Sequence, residues 1–74
     1  MKVTVTRAAM RGSKGTPQVL VEYSHMPGRE RGPWEWTEAI RDLRVAGKLS
    51  PLDARNLVLD ALANGTADIE TKTP

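Results

Sequence analysis

The chain has 74 residues, a formal net charge of +2 and no cysteine, which makes it one domain and excludes both a disulfide framework and a thiolate metal site. No segment approaches the ~20 apolar residues of a membrane span. Met1 to Thr6 alternates from the outset where a signal peptide would show an apolar run, so a cytoplasmic protein without membrane contact is expected.

Phenylalanine is absent and the aromatics are Tyr23, Trp34 and Trp36. The core must therefore be built from Val, Leu, Ile and Ala, and a domain this small buries only roughly 60–65% of its unfolded surface. Charge is unevenly spread. Residues 1–32 hold six basic against two acidic side chains, a net +4, and residues 33–74 hold five against seven, a net −2. An acidic partner would be steered to the first half, although solubilising charge explains the same numbers.

Lys2 to Ala9 has period 2, with Val3, Val5 and Ala9 on one face, and predicts a half-buried strand. Residues 11–17, rich in glycine and closed by Pro17, predict a turn. Gln18 to His25 resumes the alternation with Val19, Val21 and Tyr23 inward, completing a β-hairpin. Residues 26–32 are polar and glycine-bounded, which predicts an exposed loop.

Pro33 suits the first position of a helix. Trp36, Ala39, Ile40 and Leu43 then recur at i, i+3, i+4 and i+7 as one apolar stripe, and Gly47 is placed to end the helix in a left-handed conformation. Ser50-Pro51-Leu52-Asp53 reads as N-cap, first-position proline and third-position carboxylate. The second helix carries Ala54, Leu57, Val58, Ala61 and Leu62 along one face and stops at Asn64-Gly65. Thr66 to Thr71 alternates weakly around Ile69 and predicts a short third strand, followed by a frayed tail at 72–74. The expected fold is α+β in the order ββααβ: a small antiparallel sheet, made of a β-hairpin and a short third strand, with an αα-hairpin packed on one face.

Catalytic signals are lacking. His25 is the only histidine, and Ser24, its neighbour on a strand, points to the opposite face, so no nucleophile and base meet there. One histidine among scattered carboxylates is no metal-ligand set. Glu38 and Asp42 share a helical face with Arg41 and Arg44 beside them, the pattern of a solvated helix. The pairs Gly12/Gly15 and Gly28/Gly32 match no phosphate-binding loop. The helical hairpin is not a DNA reader by charge, because residues 51–63 carry Arg55 against Asp53 and Asp60. The domain is expected to be a monomeric binding protein without catalytic residues, metal or cofactor.

Two features exceed what the fold asks for. Trp34, two residues from the stripe position Trp36, diverges from it by about 200° on a helix and lies beside Arg29 and Arg31. Tryptophan and arginine are the types that dominate interface energetics, so Trp34 is either a binding residue or a cap folded over the sheet edge. Leu20, Ala8 and Met10 fall on the face opposite the valines, rimmed by Arg7, Arg11 and Lys14. They form either an interface patch or, if the register is displaced by one residue, part of the core. The candidate partner-binding residues are thus Arg7, Arg11, Lys14, Leu20, Arg29, Arg31 and Trp34. The preferred partner is a protein. The alternative is single-stranded nucleic acid, with Tyr23 and Trp34 stacking bases and the arginines tracking phosphate.

The basic hairpin Lys2–His25 and the segment Gly32-Pro33-Trp34-Glu35-Trp36, in a chain this short with no catalytic apparatus, resemble small bacteriophage transcription regulators that bind the host bacterial RNA polymerase. The resemblance implies inhibition of transcription initiation, through interference with promoter or σ-factor engagement, and antitermination.

Overall fold

The computed structural model describes residues 1–12 and 14–71; the expected frayed tail at 72–74 lies outside the described residues. The elements are β1 (Lys2–Arg7), β2 (Gln18–Tyr23), β3 (Arg31–Glu35), α1 (Trp36–Val45), α2 (Pro51–Asn64) and β4 (Thr66–Glu70). The strands form one antiparallel sheet in the order β3-β2-β1-β4. The expected elements occur in the expected order, but the sheet has four strands instead of three.

The hairpin register pairs Val3 with Tyr23 and Val5 with Val21. Val3, Val5, Val19, Val21 and Tyr23 are fully buried, so the helices cover the face that the alternation selects and the register is not displaced. The strands end earlier than expected, at Arg7 and Tyr23. Ala39 and Leu43 of α1, Leu49 of the connector, and Ala54, Leu57, Val58 and Ala61 of α2 complete the core, with Ile40, Leu62, Ala67 and Ile69 among the residues packed around it. Each buried Val or Leu contributes about 1.5–3 kcal/mol relative to its exposed state.

The second helix forms as its sequence dictates. Ser50 Oγ accepts from the Asp53 N–H at 3.1 Å, Pro51 takes the first turn, and Gly65 caps the far end with φ 92°. The Ser50 cap contributes about 1 kcal/mol.

The segment around Pro33 differs from expectation. Pro33 does not open a helix. It lies within β3, after a cis Gly32–Pro33 peptide, and α1 begins three residues later with Glu35 as N-cap. Proline is tolerated at a sheet edge, where its missing N–H removes no ladder bond, and Gly32 before it takes a φ of 116° that favours glycine. The strand covers the second edge of β2, with Val19 opposite Trp34 and Val21 opposite Arg31 across an irregularity between them. The roles of the two tryptophans are thereby exchanged. Trp34 is half-buried against the core, whereas Trp36, expected within the core stripe, is 42% exposed. The helix stop also differs: Lys48, with φ 58°, holds the left-handed position, and Gly47 does not.

Candidate functional site

The seven residues singled out from sequence do not form one surface. β1 and β2 run antiparallel, so the turn carrying Arg11 and Lys14 and the loop carrying Arg29 sit at opposite ends of the sheet. Arg7 Nη1 donates to the Leu62 carbonyl at 2.9 Å, and Arg11 Nη1 donates to the Gly15 carbonyl at 2.9 Å. Lys14 and Arg29 are exposed. Leu20 is half-buried on the uncovered face, opposite Thr6 and two residues from Glu22, and Met10 stands 79% exposed beyond the strand end. The apolar patch therefore reduces to one leucine among polar side chains.

Arg31 and Trp34 are engaged within the fold. Arg31 Nη2 donates to Asp42 Oδ1 at 2.9 Å, and its guanidinium carbon lies 5.6 Å from the Trp34 ring centroid. Asp42, which its sequence neighbours place on a solvated helical face, has a side chain only 14% exposed. It accepts from Tyr23 Oη at 2.7 Å through Oδ2, while its main-chain oxygen lies 3.1 Å from the same hydroxyl. Arg31, Asp42 and Tyr23 thus join β3, α1 and β2. Tyr23 is fully buried and offers no ring to a base, which leaves the half-buried Trp34 as the one stacking residue of the two in the nucleic-acid reading. Ser24 and His25 are also apart in role: Ser24 Oγ accepts from the Lys2 N–H, and His25 Nδ1 contacts the Met1 sulfur.

Burial pushes the Tyr23 phenol well above its ordinary value of 10.0, reinforced by the hydrogen bond to Asp42 and its negative charge, and opposed by Arg31. The folded state therefore holds this proton more tightly than the unfolded chain. The resulting stabilisation is complete below about pH 10 and is lost as pH rises above it, because only the unfolded phenol then ionises. The stability of the wild type should fall more steeply than that of Tyr23→Phe between about pH 10 and 11.5. Denaturant unfolding of both proteins across this interval measures the difference, and parallel curves would contradict it.

With Asp42 turned inward, the solvent side of the helical hairpin is left with a cationic groove. Arg41, Arg44 and Val45 from α1 and Leu49 and Pro51 from the connector and α2 line a groove of about 480 Å³. Val45 is 66% exposed and Leu52, the residue after Pro51, is 64% exposed. Lys48 sits between the lining residues Val45 and Leu49 and is exposed. Among the described residues the ion pairs are the Met1 amino group with Glu70, Lys2 with Asp68, and Arg31 with Asp42. None engages Arg41, Arg44 or Lys48. Glu38, one turn before Arg41, and Asp53, at the start of α2, are the nearest acidic residues in sequence apart from Asp42 itself.

The groove can hold an apolar side chain against Val45 and Leu49 while its arginines meet carboxylates on the same segment. Among the described residues no three His, Cys, Asp or Glu side chains group as metal ligands. Among the same residues no helix is long and apolar enough to cross a membrane. The sequence reading misses this site because Arg41 and Arg44 look balanced by Asp42 in the chain. The exposed Val45, an apolar residue next to Arg44 and three before Lys48, is the available signal.

Compared with models of known families, with curated proteins and with solved structures, the chain gives no significant match.

Proposed function

We propose that this domain is a small protein-binding regulator of bacterial RNA polymerase, of the kind bacteriophages direct at their host, and that it docks through the helical groove. The observation that carries the docking surface is the exposed Val45 beside Arg41 and Arg44 in the groove, with Lys48 and the exposed Leu52 next to its lining residues Leu49 and Pro51 in sequence, the three cations having no ion-pair partner among the described residues. Apolar anchors ringed by arginine suit a protein partner with an acidic segment. A phosphate backbone would need the cations but not the exposed valine and leucine.

Lys48 supports the same surface. A left-handed backbone costs a non-glycine residue roughly 1 kcal/mol, yet lysine occupies the position where glycine would be cheaper. Strain retained beside a groove fits a binding role for the side chain. The identity of the partner rests on the resemblance of the chain to phage transcription regulators. On that reading the bound domain blocks promoter or σ-factor engagement and modifies elongation toward antitermination.

The test uses the purified domain with bacterial RNA polymerase core and holoenzyme. Co-elution on size exclusion, together with a dose-dependent loss of run-off transcript from a promoter template, is the expected result. Absence of both at micromolar concentrations would reject the polymerase as partner.

A further inference from the structure

The two edges of the sheet are unlike. β3 is interrupted by Pro33 and by the irregularity opposite Val19 and Val21. β4 is regular over five residues, Thr66-Ala67-Asp68-Ile69-Glu70, with no proline, glycine or lysine to block it. Edge strands of this kind are templates for another strand unless protected.

The ladder identifies which groups face outward. Met1 and Thr71 exchange both main-chain hydrogen bonds, at 3.0 and 2.7 Å, and Arg7 donates to the Gly65 carbonyl at 2.8 Å. Hydrogen-bonded and non-bonded pairs alternate along an antiparallel ladder. The intervening bonded pairs are therefore Val3–Ile69 and Val5–Ala67. The N–H and C=O groups of Thr66, Asp68 and Glu70 consequently point away from β1, out of the sheet edge.

The side chains of these three residues are exposed and lie on the sheet face opposite the helices. There they join Glu22, across Thr4 from Asp68, and Lys2, whose ammonium is 3.3 Å from Asp68. The edge itself carries Asp68 and Glu70, each more than half exposed beside one cation, Lys2 at Asp68 and the Met1 amino group 3.9 Å from Glu70. A second copy of β4 fully overlapped in antiparallel pairing would set Asp68 against Asp68, and like charges directly opposite are unfavourable. Basic side chains at alternate positions of an incoming strand would instead meet Asp68 and Glu70.

We infer that the β4 edge is a strand-addition site for an extended basic segment of a partner protein, with main-chain bonds to Thr66, Asp68 and Glu70 and charge selection by Asp68 and Glu70. This surface is distinct from the helical groove and does not depend on the polymerase reading.

The probe is a capped heptapeptide with lysine at alternate positions and threonine or valine between, added to nitrogen-15-labelled domain. At saturating peptide the amides of Thr66, Asp68 and Glu70 should exchange at least about tenfold more slowly, while those of Ala67 and Ile69, already bonded to β1, should change little. Asp68→Asn should weaken peptide binding severalfold. Asp68→Pro removes an outward N–H without breaking the β1–β4 ladder and should abolish the protection with the circular dichroism unchanged. Peptide binding without slowed exchange at Thr66, Asp68 and Glu70, no binding at all, or protection of these amides by self-association in the absence of peptide would each overturn the inference. The wild-type exchange data and Asp68→Asn decide it even where Asp68→Pro fails to fold.

Discussion

Replacing Asp42 with alanine should destabilise the domain by about 2–4 kcal/mol, the largest loss expected from any single side chain outside the apolar core. Asp42 is the common acceptor for Arg31 at 2.9 Å and for the Tyr23 hydroxyl at 2.7 Å. Its removal leaves a phenol at the end of a fully buried side chain with only the main-chain oxygen of residue 42 nearby, and a guanidinium without its carboxylate. Arg31 remains 39% exposed, so water recovers part of its interaction and the loss falls short of that for a wholly buried pair. In a domain of this size each kcal/mol lowers the melting temperature by about 4–8 °C, which places the shift at roughly 8–32 °C. Asp42→Asn keeps an acceptor for Tyr23 and should lose about half as much. Thermal unfolding followed by circular dichroism measures both, and a loss under about 0.5 kcal/mol for the alanine variant would show that this network does not tie β3 and α1 to the sheet.

The second large effect is expected at Gly47. A Cβ placed there would lie 2.7 Å from the Leu43 carbonyl oxygen and 3.1 Å from Cε1 of Tyr23. The first of these is backbone, held at the end of α1, and cannot swing aside as a side-chain tip would. Gly47→Ala should therefore cost about 2–3 kcal/mol by overpacking, expressed as displacement of the connector that seats Leu49 over the core. Backbone conformation is not the cause, because the left-handed residue of this connector is Lys48. Gly28 provides the contrast: φ is +79° and nothing lies within 4 Å of the place a Cβ would occupy, so Gly28→Ala should cost only about 1 kcal/mol. Equal losses at the two positions in denaturant titrations would contradict this account of Gly47.

Much of this fold is legible in the sequence. Val3, Val5, Val19, Val21 and Tyr23 alternate strictly, and that alternation alone selects the face the helices cover. The second helix announces both of its ends, through Ser50-Pro51 and Asn64-Gly65, because capping chemistry is local. Residues 31–36 are not legible, since Pro33 is equally at home in the first turn of a helix and on the edge of a sheet. What decides between them is non-local: the edge of β2 needs a partner, and Arg31 and Trp34 on the same strand find Asp42 and the core.

The candidate site is hidden for a related reason. In the chain Asp42 lies between Arg41 and Arg44, and only tertiary packing shows that it turns inward to Arg31 and Tyr23. The helix then presents its two arginines beside Val45 without that carboxylate. Conversely, Arg7, Arg11, Arg29 and Arg31 look like one basic region because they are near in sequence, but the hairpin separates them to opposite ends, and Arg7, Arg11 and Arg31 bond within the fold.

The central claim is that the helical groove, and not the basic hairpin, meets the partner. Its most direct test is the affinity of the domain for bacterial RNA polymerase measured side by side for Arg41→Glu/Arg44→Glu, Lys48→Gly and Arg11→Glu/Lys14→Glu. The groove double variant should lose at least about tenfold in affinity while remaining folded, and Lys48→Gly should bind more weakly although it melts at a higher temperature. The hairpin double variant should bind as the wild type does. Binding that survives charge reversal in the groove and fails with the hairpin variant would contradict the claim.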